Sequence, residues 1–256
     1  MPFSDTLYAP VSRLKENTRG RTFVVGDIHG MFDLLYDNLE SHGFDYERDI
    51  LISTGDLIDR GPQSEHVADF LRKPWVHAVL GNHESILLEA YRYGSPPKEE
   101  LPELFDEERG RSWWLSVSPE KQNAILRALS KLPLAIEVKT CCSKLGIIHA
   151  EVPLNMGWSA FVNNLEAGER FTVKTCLWGR SRVTYNLHKP VEGVDLIFAG
   201  HTVQKDVKLY GNLFVVDTGA YKSSIGDGRL TLLEIPSDDV LVSAPAHYDF
   251  EETLML

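Results

Sequence analysis

No segment of the chain approaches the ~18 uninterrupted apolar residues that a membrane-spanning helix needs. The opening MPFSDTLYAPVSRLKE also lacks an apolar stretch behind a basic one, the mark of a secretory leader. Basic runs are equally scarce. With 37 acidic residues against 26 basic ones, the formal charge is −11, and no lysine or arginine stripe is present to follow a phosphate backbone, which argues against a sequence-independent nucleic-acid binder. Cysteine is limited to Cys141, Cys142 and Cys176, an odd number without C-x-x-C spacing, so a disulfide framework has nothing to build on. These absences point to a cytoplasmic protein with reduced thiols, with neither membrane nor nucleic acid among its partners and with its oligomeric state undetermined.

What is present suits one sizeable domain: 256 residues, 43% of them hydrophobic, can bury a substantial core. We read a single domain over 1–256, with its core at about 21–235 and a C-terminal extension at 236–256. After some twenty polar residues, Thr22 to Val25 reads as a strand, GDIHG as a turn, and Met31 to Glu40 as a helix. The pattern repeats with strand Asp49 to Ser53, loop TGDLIDRGP, helix Ser64 to Leu71, then strand Val76 to Leu80, loop GNHE and helix Glu84 to Tyr91. Three such units predict an α/β sheet that starts out parallel. Residues 95–108, with three prolines and many acids, read as a solvated excursion, and a helix over Pro119 to Lys131 follows. Further strands are expected at Leu134 to Val138, Lys144 to His149, Val194 to Ala199, Leu213 to Val216 and Arg229 to Ile235, with a tail after Pro236 that forms an edge strand or stays mobile.

In open α/β sheets reactive groups gather beyond the carboxyl ends of the strands. Here the first strand is followed by Asp27 and His29, the second by Asp56, Asp59 and Arg60, the third by Asn82, His83 and Glu84, and later ones by His149 and His201. Taken singly, each has an ordinary reading as a helix cap, a turn residue or a buried histidine. Together, five strand ends deliver oxygen and imidazole ligands to one edge, the donor set that a pair of divalent cations needs to clamp a phosphoryl group and acidify a water. Asp27, His29, Asp56, Asn82, His149 and His201 supply it.

The order GDIHG, GDLIDRG, GNHE, IIHA, AGHT resembles the metallophosphoesterase superfamily, and within it the phosphoprotein phosphatase branch. KLPLAIEV, WGR at 178–180 and VVDTGAY at 215–221 are similar to the bacterial and phage serine/threonine protein phosphatases of the bacteriophage lambda type. The resemblance implies a calcineurin-like fold, two mixed β-sheets in a sandwich flanked by helices. It places Asp27 and His29 on a first metal, Asp56 between the two, and Asn82, His149 and His201 on the second, with manganese as the expected ion and iron or zinc as alternatives. A hydroxide bridging the ions would attack phosphorus. His83 would protonate the leaving alkoxide, Asp59 would orient His83, and Arg60 and Arg180 would grip phosphate oxygens, although Arg60 could instead pair with a nearby acid. The expected substrate is a phosphorylated protein or a small phosphomonoester. Leu80, before GNHE, is shared with the symmetrical diadenosine tetraphosphatases, which makes dinucleotide cleavage the alternative, while Asp59, Arg60 and Thr202 favour the phosphatase. A non-catalytic scaffold is the third reading, opposed by the presence of every ligand and of His83 with Asp59. His42, His66, His77, His188 and His247 match no motif, and Trp113 and Trp114 read as core.

Overall fold

The computed structural model describes residues 9–140 and 143–235. Among these residues are ten strands: β1 (Ala9–Lys15), β2 (Thr22–Val25), β3 (Ile50–Ser53), β4 (Val76–Ala78), β5 (Pro133–Lys139), β6 (Lys144–Ile148), β7 (Leu196–Ala199), β8 (Lys208–Tyr210), β9 (Leu213–Val215) and β10 (Leu232–Glu234). The α-helices are α1 (Phe32–Ser41), α2 (Val67–Phe70), α3 (Asn82–Ala90), α4 (Leu101–Leu104), α5 (Pro119–Leu129), α6 (Trp158–Glu166), α7 (Arg170–Trp178) and α8 (Ser181–Thr184). Among the described residues no helix is long and apolar enough to cross a membrane.

The strands form two mixed sheets, one ordered β1-β5-β6-β7-β9-β8 and the other β10-β2-β3-β4. The three strand, loop, helix units produce the parallel run β2-β3-β4, as their pattern predicts, and β10 closes it antiparallel. Alternation along each strand explains why the sheets stack. Val24 and Ile52 of one sheet meet Ile136, Ile147, Phe198 and Phe214 of the other in an inner core, while Phe23, Val25 and Leu51 point outward to pack with Phe32, Leu35 and Leu39 of α1. On the opposite outer face Ile148, Ile197 and Val215 join Trp158, Phe161 and Leu165 of α6. Gly146 of β6 lies directly against the Trp158 ring, and a side chain at that position would have no room.

Several elements differ from the sequence reading, among them α4 in the stretch read as a solvated excursion and α8 in one given no element. The segment taken as polar leader carries β1, which pairs in parallel with β5 and extends the larger sheet before Thr22. Helices α6 and α7 occupy a stretch given no element, although Trp158, Phe161, Val162 and Leu165 repeat at helical spacing. Strand β8 is only three residues long, too short to register as a period. Elsewhere boundaries shift by a few residues: α3 begins at Asn82 rather than Glu84, and a 3₁₀ turn over Ser64–His66 precedes α2. The expected tail after Pro236, His247, Cys141 and Cys142 lie outside the described residues.

Candidate metal and phosphate site

The loops after β2, β3, β4, β6 and β7 meet at one edge of the sandwich. Asp27, His29, Asp56, Asn82, His83, His149 and His201 are all buried there. His29, Asp56, Asp59, Arg60 and His201 adopt left-handed backbone, with φ of 46°, 48°, 71°, 70° and 67°. Such conformations in non-glycine residues cost roughly 1–3 kcal/mol each and persist where the surroundings impose them.

Asp56 is the hub. One carboxylate oxygen lies 3.4 Å from His149 Nε2, and the other 3.7 Å from His29 Nε2 and 3.8 Å from His83 Nε2. Two clusters able to hold a cation result, His29 with Asp56 and His83, and Asp56 with His149 and His201, and they share Asp56. Burial opposes ionisation of Asp56, but the surrounding imidazoles His149, His83 and His29 outweigh it and hold the carboxyl well below the ordinary range.

Neighbouring carbonyls fix the tautomers. His29 Nδ1 lies 2.9 Å from the Ile58 carbonyl and His149 Nδ1 2.8 Å from the Thr54 carbonyl. A carbonyl can only accept, so each Nδ1 carries the hydrogen and each Nε2 presents a lone pair. Burial lowers His29 to about 3 and His201 to about 2, and also lowers His149, which keeps these rings neutral. Around His149 Nε2 stand Asn82 Oδ1 at 2.8 Å and Asp56 Oδ1 at 3.4 Å, and Asn82 Oδ1 is also 2.8 Å from His201 Nδ1. Among the described residues His201 Nε2 is buried without a hydrogen-bond partner. Lone pairs converging on one point, beside an orphaned imidazole nitrogen, are what a divalent cation satisfies, so the residues fit the metals that the motifs imply.

Asp27 stands at the margin of these clusters. It accepts the His201 amide at 3.0 Å and the Thr54 hydroxyl at 3.3 Å, and burial, reinforced by the neighbouring Asp217 and Asp56 carboxylates, pushes it well above the usual carboxylate range. His83 donates Nδ1–H to Asp59 Oδ2 at 2.6 Å. Burial disfavours its imidazolium, yet the Asp56 and Asp59 carboxylates prevail and raise it above 6.5. Arg60 reaches the site with one guanidinium nitrogen 2.7 Å from His29 Nε2 and another 3.2 Å from His83 Nε2, its plane 4.5 Å above the Tyr221 ring. Arg60 pairs with imidazoles here and not with an acid. Since a lone pair serves one partner, a metal on His29 Nε2 requires this guanidinium to move outward. Arg180 lies at the exposed rim with a 3.5 Å contact to Thr202 Oγ1, and the backbone beside it is pinned where Ser181 and Arg182 N–H donate to Glu151 at 2.7 and 3.0 Å.

Several contributors carried no assigned role in the sequence. Glu84, fully buried, accepts four backbone N–H groups: Leu57 at 2.8 Å and Ile58 at 3.2 Å on Oε1, with Asp56 at 3.0 Å and Gly81 at 2.9 Å on Oε2. It ties the Asp56 loop to the start of α3, and was legible only as the last letter of GNHE. Thr54 contacts both Asp27 and His149, and Asp217 and Tyr221 sit in VVDTGAY without a signal of their own. Trp114 is core as expected, its indole N–H on Tyr91 Oη at 2.9 Å, whereas the Trp113 indole donates to Asp59 Oδ1 at 2.8 Å.

The calcineurin-like phosphoesterase family model matches residues 20–205. Serine/threonine-protein phosphatase 2 of Salmonella typhimurium is 32% identical over 83% of this chain and 92% of its own length. The symmetrical bis(5′-nucleosyl)-tetraphosphatase of Yersinia pestis is 43% identical, but over only 33% of this chain and 31% of its own. A crystal structure provisionally assigned as a diadenosine tetraphosphatase superposes with a TM-score of 0.60 at 23% identity, covering 90% of this chain and 95% of that one, a likeness of fold.

Proposed function

The chain belongs to the calcineurin-like phosphoesterase family, and from that premise we propose that it is a serine/threonine protein phosphatase, a single-domain cytoplasmic hydrolase that holds two divalent cations across Asp56. The carrying observation is the sharing of Asp56 between two clusters, one with His29 and His83 and the other with His149 and His201. In this reading Asp27 and His29 hold the first ion and Asn82, His149 and His201 the second. Manganese suits these nitrogen and oxygen donors, and iron or zinc would also bind. When bound, the ions supply charge neutralisation on the phosphoryl oxygens and a water acidic enough to attack.

The chain's own residues supply the rest. Arg60 and Arg180 approach from opposite clusters with permanent charge and a fork that matches phosphate oxygens. His83, raised by its two carboxylates, holds a proton near neutral pH and gives it to the departing alkoxide through Nε2, while Asp59 holds Nδ1. Cys176, buried and pushed up to about 12, takes no part and is packed as an apolar group.

The choice between a phosphoprotein and a dinucleotide rests on extent, because the similarity to protein phosphatase 2 runs along most of both chains while that to the tetraphosphatase covers 89 residues. The test is to strip the protein with chelator, restore manganese, and compare turnover on a serine-phosphorylated peptide and on diadenosine tetraphosphate. Metal-dependent phosphate release from the peptide with little dinucleotide cleavage is expected. Preferential cleavage of the dinucleotide would move the assignment to the tetraphosphatases and make Leu80 the informative residue.

A further inference from the structure

Among the described residues the Asp59 carboxylate accepts from three donors, of which His83 alone belongs to the motif cluster. Arg111 Nε donates to Oδ2 at 3.2 Å and the Trp113 indole N–H to Oδ1 at 2.8 Å. Both come from the segment that returns from the acidic excursion. The backbone joins in: Arg60 N–H donates to the Gly110 carbonyl at 2.8 Å. A side chain on Gly110, itself at φ +67°, would begin 2.6 Å from Arg60 Cα, so only glycine lets the two segments come this close. The consecutive left-handed residues Asp59 and Arg60 are therefore braced from outside their own loop.

We propose that Arg111 and Trp113 are positioning residues for proton transfer. With one donor on Oδ1 and two on Oδ2, the Asp59 carboxylate has a single orientation, and that orientation fixes the His83 ring with Nε2 toward the phosphoryl site. The inference rests on the reading of His83 as general acid. As the P–O ester bond breaks, its electron pair passes to the departing alkoxide oxygen, which takes the proton from His83 Nε2, while a hydroxide oxygen, its water having already given one proton to solvent, forms the new P–O bond. Arg111 and Trp113 exchange no atoms and act on the geometry alone.

The experiment compares wild type, Trp113→Phe, Arg111→Met, His83→Asn and the doubles with His83→Asn, all full-length and reconstituted with manganese, on a phosphoserine peptide and on p-nitrophenyl phosphate. His83→Asn should lower peptide turnover by about 10² to 10⁴ and aryl turnover far less, since nitrophenolate leaves without a proton. Trp113→Phe keeps the ring and deletes the donor, and Arg111→Met keeps the stem. Each should cost about 10-fold on the peptide and less than about 2-fold on the aryl ester, with metal content unchanged and a melting temperature lowered only by what one lost buried hydrogen bond costs. Added to His83→Asn, neither should cost anything more, because partners in one network do not add. Equal losses on both substrates, or the same loss with and without His83, would overturn the proposal. If Arg111→Met does not fold, Arg111→Lys is judged by the same two comparisons. His83→Asn losing both substrates equally would instead refute the acid reading, leaving the clamp without a proton to position.

Discussion

Asp56 shows how much of the chemistry hangs on one side chain. Its two oxygens face three imidazoles, its backbone N–H is held by Glu84, and its Oδ1 accepts the His83 amide at 3.0 Å, so the residue is fixed at both ends. Asp56→Asn removes the shared negative charge without removing volume. Metal analysis should then show fewer than two ions per chain, together with a fall in turnover of 10-fold or more, the usual worth of a group that holds a metal ligand set. A variant that kept both ions would take the bridging role away from Asp56. At this scale the gathering of the candidate residues was largely readable from the sequence, because Asp27, His29, Asp56, Asn82, His83, His149 and His201 each fall within a few residues of an apolar run, and position after a strand is a sequence property. Glu84, Thr54, Arg111 and Trp113 were not readable in the same way. Their work is to hold another residue's backbone, ring or carboxylate across long separations, 26 residues from Glu84 to Ile58, 54 from Trp113 to Asp59 and 95 from Thr54 to His149, and no local pattern announces such a partner.

Strands β2 and β3 and helix α1 meet in a lock built on Asp49. Its carboxylate accepts Arg21 N–H at 2.7 Å, the Arg21 guanidinium at 2.7 and 3.1 Å, and Asp45 N–H at 3.0 Å, while the same guanidinium donates to the His42 and Gly43 carbonyls at the end of α1. Burial alone would raise the Asp49 carboxyl, but these donors outweigh it and hold it below 3.8. Because the folded value is depressed, the stability it gives is fully present above that ordinary value and is lost as pH falls beneath it. Asp49→Asn should cost about 1.5–3 kcal/mol at pH 7. Urea midpoints should show this gap closing as pH falls below 3.8, and a gap that stays constant on acidification would mean that charge plays no part. The elements around this lock were predictable, since β2, β3 and α1 carry clear periods. Strand β1 was not, because its residues are half-exposed and mixed in polarity, and its pairing partner β5 lies more than a hundred residues away.

Across the whole molecule the sandwich brings loops from both sheets to one edge. Asp56 comes from a loop of the smaller sheet and Glu84 from the start of α3, which follows it, while His149 and His201 come from loops of the larger, so the site bridges the two halves of the fold. The stacking of two sheets followed only from the resemblance, since alternation within a strand says that a face is buried and not which sheet buries it. Asp27, Asp56, Glu84 and Asp217 are four carboxyl groups buried within this one junction. Burial and mutual repulsion push Asp27, Glu84 and Asp217 up, which is a standing cost to the folded chain. Cations held across Asp56, as proposed, would offset that cost and would bind the folded form alone. One ion at 100 times its dissociation constant adds about 2.7 kcal/mol, or roughly 5–10 °C of melting temperature for a chain of this size. Chelator-treated protein should therefore melt lower, and manganese should restore the transition in a concentration-dependent way, while Asp56→Asn should respond much less. A melting curve indifferent to both chelator and manganese would mean that the clustered histidines and carboxylates tolerate one another without a metal, and the dinuclear reading would fall with it.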